Sequence, residues 1–286
     1  MAARLFAWLQ YLLPKYLLTA LVWRVARICN PGVKDFLITR FISLYDVDID
    51  EVKLDAPSDF ATFNDFFIRE LQDAARPVDS AGNSIVSPVD GTVSSAGPIH
   101  GNSIFQAKGI DYSLDDLLAT DLQEARNYTD GAYATIYLAP YNYHRVHAPL
   151  HGRLLAARYV PGDLFSVNKA TAENVRGLFR RNERLVLHFE SDAGPWVMIL
   201  VGALNVGSIS TPWSGEVRPR KKGVVEMIDI GNAPTDIGKG DLLGWFNMGS
   251  TVVVLLPRNT CEWSELFTAD KVVRMGERIG TLLSDG

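Results

Sequence analysis

Hydrophobic positions change their rhythm once along this chain. Up to about residue 76 they recur at helical spacing. Leu5, Trp8, Leu9, Leu12 and Leu13 mark one short amphipathic run, Pro14 interrupts it, and Tyr16 to Trp23 form a second, flanked by Lys15 and Arg24. Neither run approaches the ~20 residues needed to cross a bilayer. The pattern predicts short helices lying in a headgroup region, with Trp8, Tyr11, Tyr16 and Trp23 as interfacial anchors. An ordinary helical hairpin packed on a core would read the same way. A cleaved signal peptide fits poorly, because Pro14, Lys15 and a second apolar run follow the first. Residues 34–45 continue helically. Thr62 with Asp65 three positions on gives a capping-box-like start to a helix with Phe63, Phe66 and Phe67 on one face.

After Pro77 the runs become short and β-branched, and glycine and proline punctuate them. Strands are predicted at Ser84–Val86, Gly91–Val93, Ala134–Leu138, Arg184–Phe189, Val197–Val201, Val206–Ile209, Val224–Ile230 and Val252–Leu256. Short helices are predicted at Leu114–Leu118, capped by Ser113, and near Ala172–Arg180. The expected class is α+β: membrane-associating helices over residues 1–76, packed on a sandwich- or barrel-like β-rich body over 77–286. No clean linker separates the two, so they are expected to form one unit.

Charge sharpens the picture of the head. Arg4, Lys15, Arg24, Arg27 and Lys34 precede the first acidic residue, Asp35, whereas the whole chain carries −5. A basic, aromatic-rich head on an acidic body fits an anionic lipid surface and argues against nucleic acid as a partner. Cys29 and Cys261 are far apart and lack metal-ligand spacing, which suggests a reducing compartment. Together these features place the chain peripherally on the cytoplasmic face of the cell membrane. No nucleotide-binding fingerprint is present.

Chemistry concentrates in four places. Gly249-Ser250-Thr251 forms a turn feeding the apolar run Val252–Leu256, which holds Ser250 at the edge of a buried strand. Asp90-Gly91 follows a strand and reads as a turn. Three of the five histidines, His144, His147 and His151, fall within eight residues. They lack the further ligands a metal site needs, so no metal is expected. Gly162 to Asn168 is a polar loop. Aspartate, histidine and serine are the ingredients of a triad, yet no GxSxG elbow surrounds Ser250. From the residues alone, such a triad could act on an outside substrate, as in a membrane-associated serine hydrolase using Asp90, His147 and Ser250, or on the chain itself. A non-enzymatic β-module on a helical tether is the third reading.

Met248-Gly249-Ser250-Thr251 resembles the Leu-Gly-Ser-Thr processing motif of phosphatidylserine decarboxylases, with methionine where leucine is usual. The two are similar in volume, so little consequence is expected. Tyr143-His144-Arg145-Val146-His147 and Pro88-Val89-Asp90-Gly91 resemble that family's other signatures. So do Tyr159 to Asn168, Phe179-Arg180-Arg181-Asn182-Glu183-Arg184 and Thr62 to Phe67. The likeness runs in order over nearly the whole chain and is closest to the short bacterial type. It implies a proenzyme that cuts itself between Gly249 and Ser250. Ser250 Oγ would attack the Gly249 carbonyl, with His147 as base and Asp90 as its orienter. β-Elimination would then leave chains 1–249 and 250–286, with a covalent pyruvoyl cofactor formed from Ser250. That group is the Schiff-base site for phosphatidylserine, which would lose CO₂ to give phosphatidylethanolamine. His144 is implied as proton donor or substrate contact, and Phe165 and Ser166 as substrate-binding residues. The two chains would form a heterodimer, for which a symmetric pairing of two units is the default assembly.

Overall fold

The computed structural model describes residues 2–120, 122–205, 208–220 and 223–283. Three helices open the chain: α1 (Ala2–Leu9), α2 (Lys15–Ala26) and α3 (Pro31–Tyr45). Pro14 ends the first apolar run, as its missing N–H and fixed φ require. Asn30 caps α3 by accepting from Val33 N at 3.2 Å, and Pro31 occupies the first turn, where no amide donor is needed. The fourth helix, α4 (Phe63–Phe67), starts as expected, with the Thr62 side chain accepting from Asp65 N at 3.1 Å. Such a cap contributes about 1 kcal/mol. Among the described residues no helix is long and apolar enough to cross a membrane.

The body is built on an eight-stranded antiparallel sheet. Its order is Glu226–Ile228, Arg153–Val160, Arg184–Ser191, Gly194–Val201, Thr251–Leu256, Ala132–Tyr137, Gly91–Pro98 and Val272–Val273. Smaller sheets of four, three and two strands pack around it. The long strands carry near-continuous buried runs, because both faces of the central sheet are covered.

Six of the eight expected strands lie where the apolar runs put them. Glu226–Ile228 is a shorter piece of the expected 224–230 run. Of the run at 206–209, residues 206 and 207 lie outside the described residues, and the strand there is Ile209–Thr211. Arg153–Val160 and Leu242–Phe246 escaped, since arginine, alanine and glycine dilute their apolar pattern. The helix Leu114–Leu118 forms without a side-chain cap from Ser113. The segment expected to be helical near Ala172–Arg180 splits into Lys169–Ala172 and Leu178–Arg181 around Gly177, whose φ is +63°.

Two apolar cores result. The large one fills the sheets; a smaller one gathers Ile38, Phe60, Phe63, Phe66 and Phe67 beneath α3. Met248 packs on both, so the segment before Ser250 lies at their junction. Polar contacts join head to body: Lys15 pairs with Asp163 at 2.9 Å, Gln10 Nε2 donates to Thr171 Oγ1 at 3.0 Å, and the Trp23 indole donates to Glu216 at 2.8 Å. Leu5, Trp8, Leu12, Leu17 and Leu21 stay exposed.

Candidate active site

The strand Thr251–Leu256 is buried along its whole length, between Gly194–Val201 and Ala132–Tyr137. Ser250 precedes it and is fully buried. Its carbonyl accepts from Leu138 N at 2.8 Å, which continues the strand register. Its hydroxyl has no hydrogen-bond partner among the described residues.

Gly249 abuts His144. A Cβ at position 249 would stand 3.4 Å from His144 Cε1 and from the Leu138 carbonyl oxygen. Beside Gly249 opens a cavity of about 200 Å³, lined by Phe41, Tyr45, Phe67, Ser166, Met248 and Gly249 among others.

His144 is 1% exposed and stacks on Phe67, ring centroids 4.1 Å apart and planes at 24°. Its Nε2 lies 3.2 Å from the Pro140 carbonyl and Nδ1 has no partner among the described residues. Burial, reinforced by the Arg69 cation, drops its pKa to about 3. The ring is neutral at physiological pH. A carbonyl can only accept, so Nε2 carries the proton and Nδ1 offers a lone pair.

His147 is held differently. Its Nδ1 lies 2.8 Å from the Gly240 carbonyl and its Nε2 3.0 Å from the Tyr143 hydroxyl. The same reasoning puts the proton on Nδ1 and the lone pair on Nε2, where Tyr143 donates to it. Burial lowers the His147 pKa; the Gly240 bond and the Asp90 charge oppose that shift.

Asp90 is not bonded to His147, contrary to the expected orienting role. Its carboxylate is taken by Arg76, with Nε 2.8 and 3.0 Å from the two oxygens and Nη2 2.5 Å from Oδ2. Met275 N donates a further bond at 2.8 Å. The guanidinium fork matches a carboxylate better than one imidazole nitrogen can, and Gly240 has already claimed Nδ1. Arg76 in turn reaches Glu51 at 2.8 Å, and Arg274 also pairs with Glu51.

Of the two loop residues expected to touch substrate, Ser166 lines the cavity. Phe165 does not. It is fully buried under the head, with Lys15 Nζ 3.7 Å above its ring and Tyr11 edge-on at 4.8 Å. Asn182 fixes this loop by bonding both the N–H and the carbonyl of Phe165, at 3.0 and 2.8 Å. Arg76, Gly240 and the packing role of Phe67 were not singled out from the sequence. Nothing in the segment before Pro77 signals that Arg76 closes on Asp90, 14 positions on, and nothing in a Lys-Gly-Asp turn signals that Gly240 closes on His147, 93 positions back.

Comparison with known proteins identifies the family. The phosphatidylserine decarboxylase family model matches residues 63–281, and a second model, PSD, matches residues 5–46. A phosphatidylserine decarboxylase proenzyme of Chromobacterium violaceum is 47% identical, over 98% of this chain and 100% of its own. Proenzymes of the same name from Alcanivorax borkumensis and Saccharophagus degradans are 45% and 44% identical, over 99% and 97% of this chain and 97% of each of theirs. The chain belongs to the phosphatidylserine decarboxylase family.

Proposed function

We propose that this chain is a proenzyme that cuts itself between Gly249 and Ser250 and then decarboxylates phosphatidylserine to phosphatidylethanolamine. The observation that carries this reading is the buried, unpartnered Ser250 hydroxyl next to a side-chain-free Gly249 at the mouth of a cavity. A pyruvoyl group formed from Ser250 supplies a ketone that condenses with the substrate amine and draws off the electrons left when CO₂ departs. The residues present fit that group. The backbone bond from Leu138 and the register of the central sheet would hold residue 250 in place once it is an N-terminus.

In self-cleavage, His147 receives the Ser250 hydroxyl proton on Nε2, Tyr143 having turned its hydroxyl away, and returns it to the Ser250 nitrogen as the peptide bond breaks. Gly240 fixes the tautomer. Asp90 acts through its charge, which favours the imidazolium, and Arg76 holds that carboxylate in place. His144, neutral and stacked on the cavity-lining Phe67, abuts Gly249 and serves the substrate. Ser166 borders the same space; Phe165 supports the loop from beneath. The exposed apolar residues of α1 and α2, with the exposed Arg4 and Arg24, dock the protein peripherally on the anionic cytoplasmic face of the membrane, where the substrate lies. Chains 1–249 and 250–286 stay together through the sheet, and pairing of two such units is the expected assembly.

The mass of the purified protein tests this directly. Two pieces matching 1–249 and 250–286 are expected, the smaller blocked to N-terminal sequencing, and Ser250→Ala should give one intact, inactive chain. Two pieces from Ser250→Ala would overturn the assignment.

A further inference from the structure

Glu183 shares a row of the central sheet with Ser250. The pairings align Arg184 with Val201 and Val201 with Thr251. One residue further on, Gly202 N donates to the Glu183 carbonyl at 2.8 Å, so the next row reads Glu183, Gly202, Ser250. Residues directly opposite one another project from the same face of a sheet. Gly202 turns its N–H toward Glu183, and Ser250 turns its carbonyl toward Leu138. Gly202 and Ser250 therefore meet as a non-hydrogen-bonded pair, the arrangement with Cα atoms about 4.5 Å apart. In such a pair the two Cα–H bonds point at each other across the gap.

The middle of this row has no side chain, and the Glu183 carboxyl fills the space. A Cβ on Gly202 would lie 2.6 Å from Glu183 Oε1. The carboxyl thus covers Gly202, the residue that stands between it and residue 250 in the row. Tyr159 donates to Oε2 at 2.7 Å; Oε1 has no partner among the described residues, although the side chain is 1% exposed. Leaving such an oxygen unpaired is costly, and calls for a use. Burial raises the Glu183 pKa to about 7, against the Tyr159 bond. The other ionisable groups nearby are Tyr16 of α2, the Lys15–Asp163 pair, and Arg220, whose guanidinium lies 5.4 Å from the Tyr159 ring centre.

We propose that Glu183 is the base of the elimination step in self-cleavage, removing the Cα proton of residue 250. The inference rests on the self-cleavage reading above and assigns a step that His147 leaves open. Once the Gly249 acyl group has moved to Ser250 Oγ, the Glu183 carboxylate takes the Cα hydrogen as a proton. The released electron pair forms the Cα=Cβ double bond. The Cβ–Oγ bond breaks, and its electrons leave with the Gly249 carboxylate. Residue 250 becomes dehydroalanine and Glu183 a carboxylic acid, so charge and atoms balance. A buried carboxylate that titrates near neutrality is both populated and basic enough for this role.

The test compares wild type with Glu183→Gln by mass and by hydroxylamine trapping. Glu183→Gln should produce the blocked 250–286 fragment at least 100-fold more slowly. Neutral hydroxylamine should split it at the stalled ester, releasing 250–286 with an unblocked serine at its N-terminus. In wild type, the rate of appearance of the blocked fragment should rise with pH through an apparent pKa near 7. Tyr159→Phe, which removes the bond that lowers that pKa, should move the rise to higher pH. Blocked fragment from Glu183→Gln at the wild-type rate would overturn the proposal, as would a folded Glu183→Gln chain that hydroxylamine leaves whole. If Glu183→Gln does not fold, an unmoved pH profile in Tyr159→Phe overturns it instead. A wild-type chain that stays uncut would instead sink the self-cleavage reading itself.

Discussion

Arg76 bonds both carboxylate oxygens of Asp90 at 2.5 to 3.0 Å, and Asp90 makes no bond to His147. Both side chains of the pair are about nine-tenths buried. Removing one partner of a buried pair leaves an uncompensated charge and costs about 3–5 kcal/mol. Arg76→Met should therefore lower stability by about that amount in urea unfolding. Asp90→Asn keeps the shape and loses the charge that favours the His147 imidazolium. It should slow self-cleavage by roughly 100-fold, equivalent to about 3 kcal/mol, as followed by the loss of full-length chain on a denaturing gel.

His144 and His147 should separate in their effects. His147→Ala should leave an uncut chain. His144→Ala should cut normally and decarboxylate poorly, because His144 stacks on Phe67, which lines the cavity, and abuts Gly249. Phe67→Leu removes the stacked ring and should lower kcat with little change in cleavage. Intact decarboxylation by cut His144→Ala, measured as CO₂ release, would refute the division.

The same histidine gives an acid limb to stability. Its folded pKa of about 3 lies below the ordinary 6.5, so the unfolded chain binds the extra proton between those values. Stability from this group is complete above pH 6.5 and is lost as pH falls toward 3. His144→Gln should unfold less steeply with acid over that window, as read by urea midpoints at pH 4 and 7.

Apolar periodicity carried most of the fold in the sequence, because the strands around Ser250 are continuous β-branched runs such as Val252–Leu256. It failed at Arg153–Val160, where arginines and alanines break up the apolar run without a strict alternation, yet the strand is held by neighbours on both sides. The site was legible as motifs, not as geometry. Asp90, His144, His147 and Ser250 stood out by type and likeness. That Asp90 belongs to Arg76, or that Gly202 makes room for Glu183, depends on long-range closures that no local pattern encodes.

The head should bind membranes through side chains that take no part in the body. Leu12 and Leu17 are 69% and 68% exposed, whereas Lys15 and Thr19 on the same segment face inward and are bonded to the body. Replacing Leu12 and Leu17 by Asp removes two apolar contacts, each contributing about 1.5–3 kcal/mol if fully buried in lipid. The double variant should lose co-sedimentation with anionic vesicles and still cut itself. Unchanged co-sedimentation would remove the docking role from this face.

Glu183 also makes a prediction that does not depend on catalysis. A carboxyl whose pKa is raised from 4.5 to about 7 by burial binds a proton in the folded state that the unfolded chain has released. Its contribution is complete below pH 4.5 and is lost as pH rises through 7. Above that, the folded protein carries a buried carboxylate at a cost of about 3 kcal/mol. Glu183→Gln removes the ionisation and keeps the shape. Made in the uncut Ser250→Ala background, it should be more stable than its parent at pH 8.5 by up to that amount, and the difference should shrink toward pH 5. Parallel urea midpoints for the two chains across that range would show that Glu183 does not titrate in the folded protein.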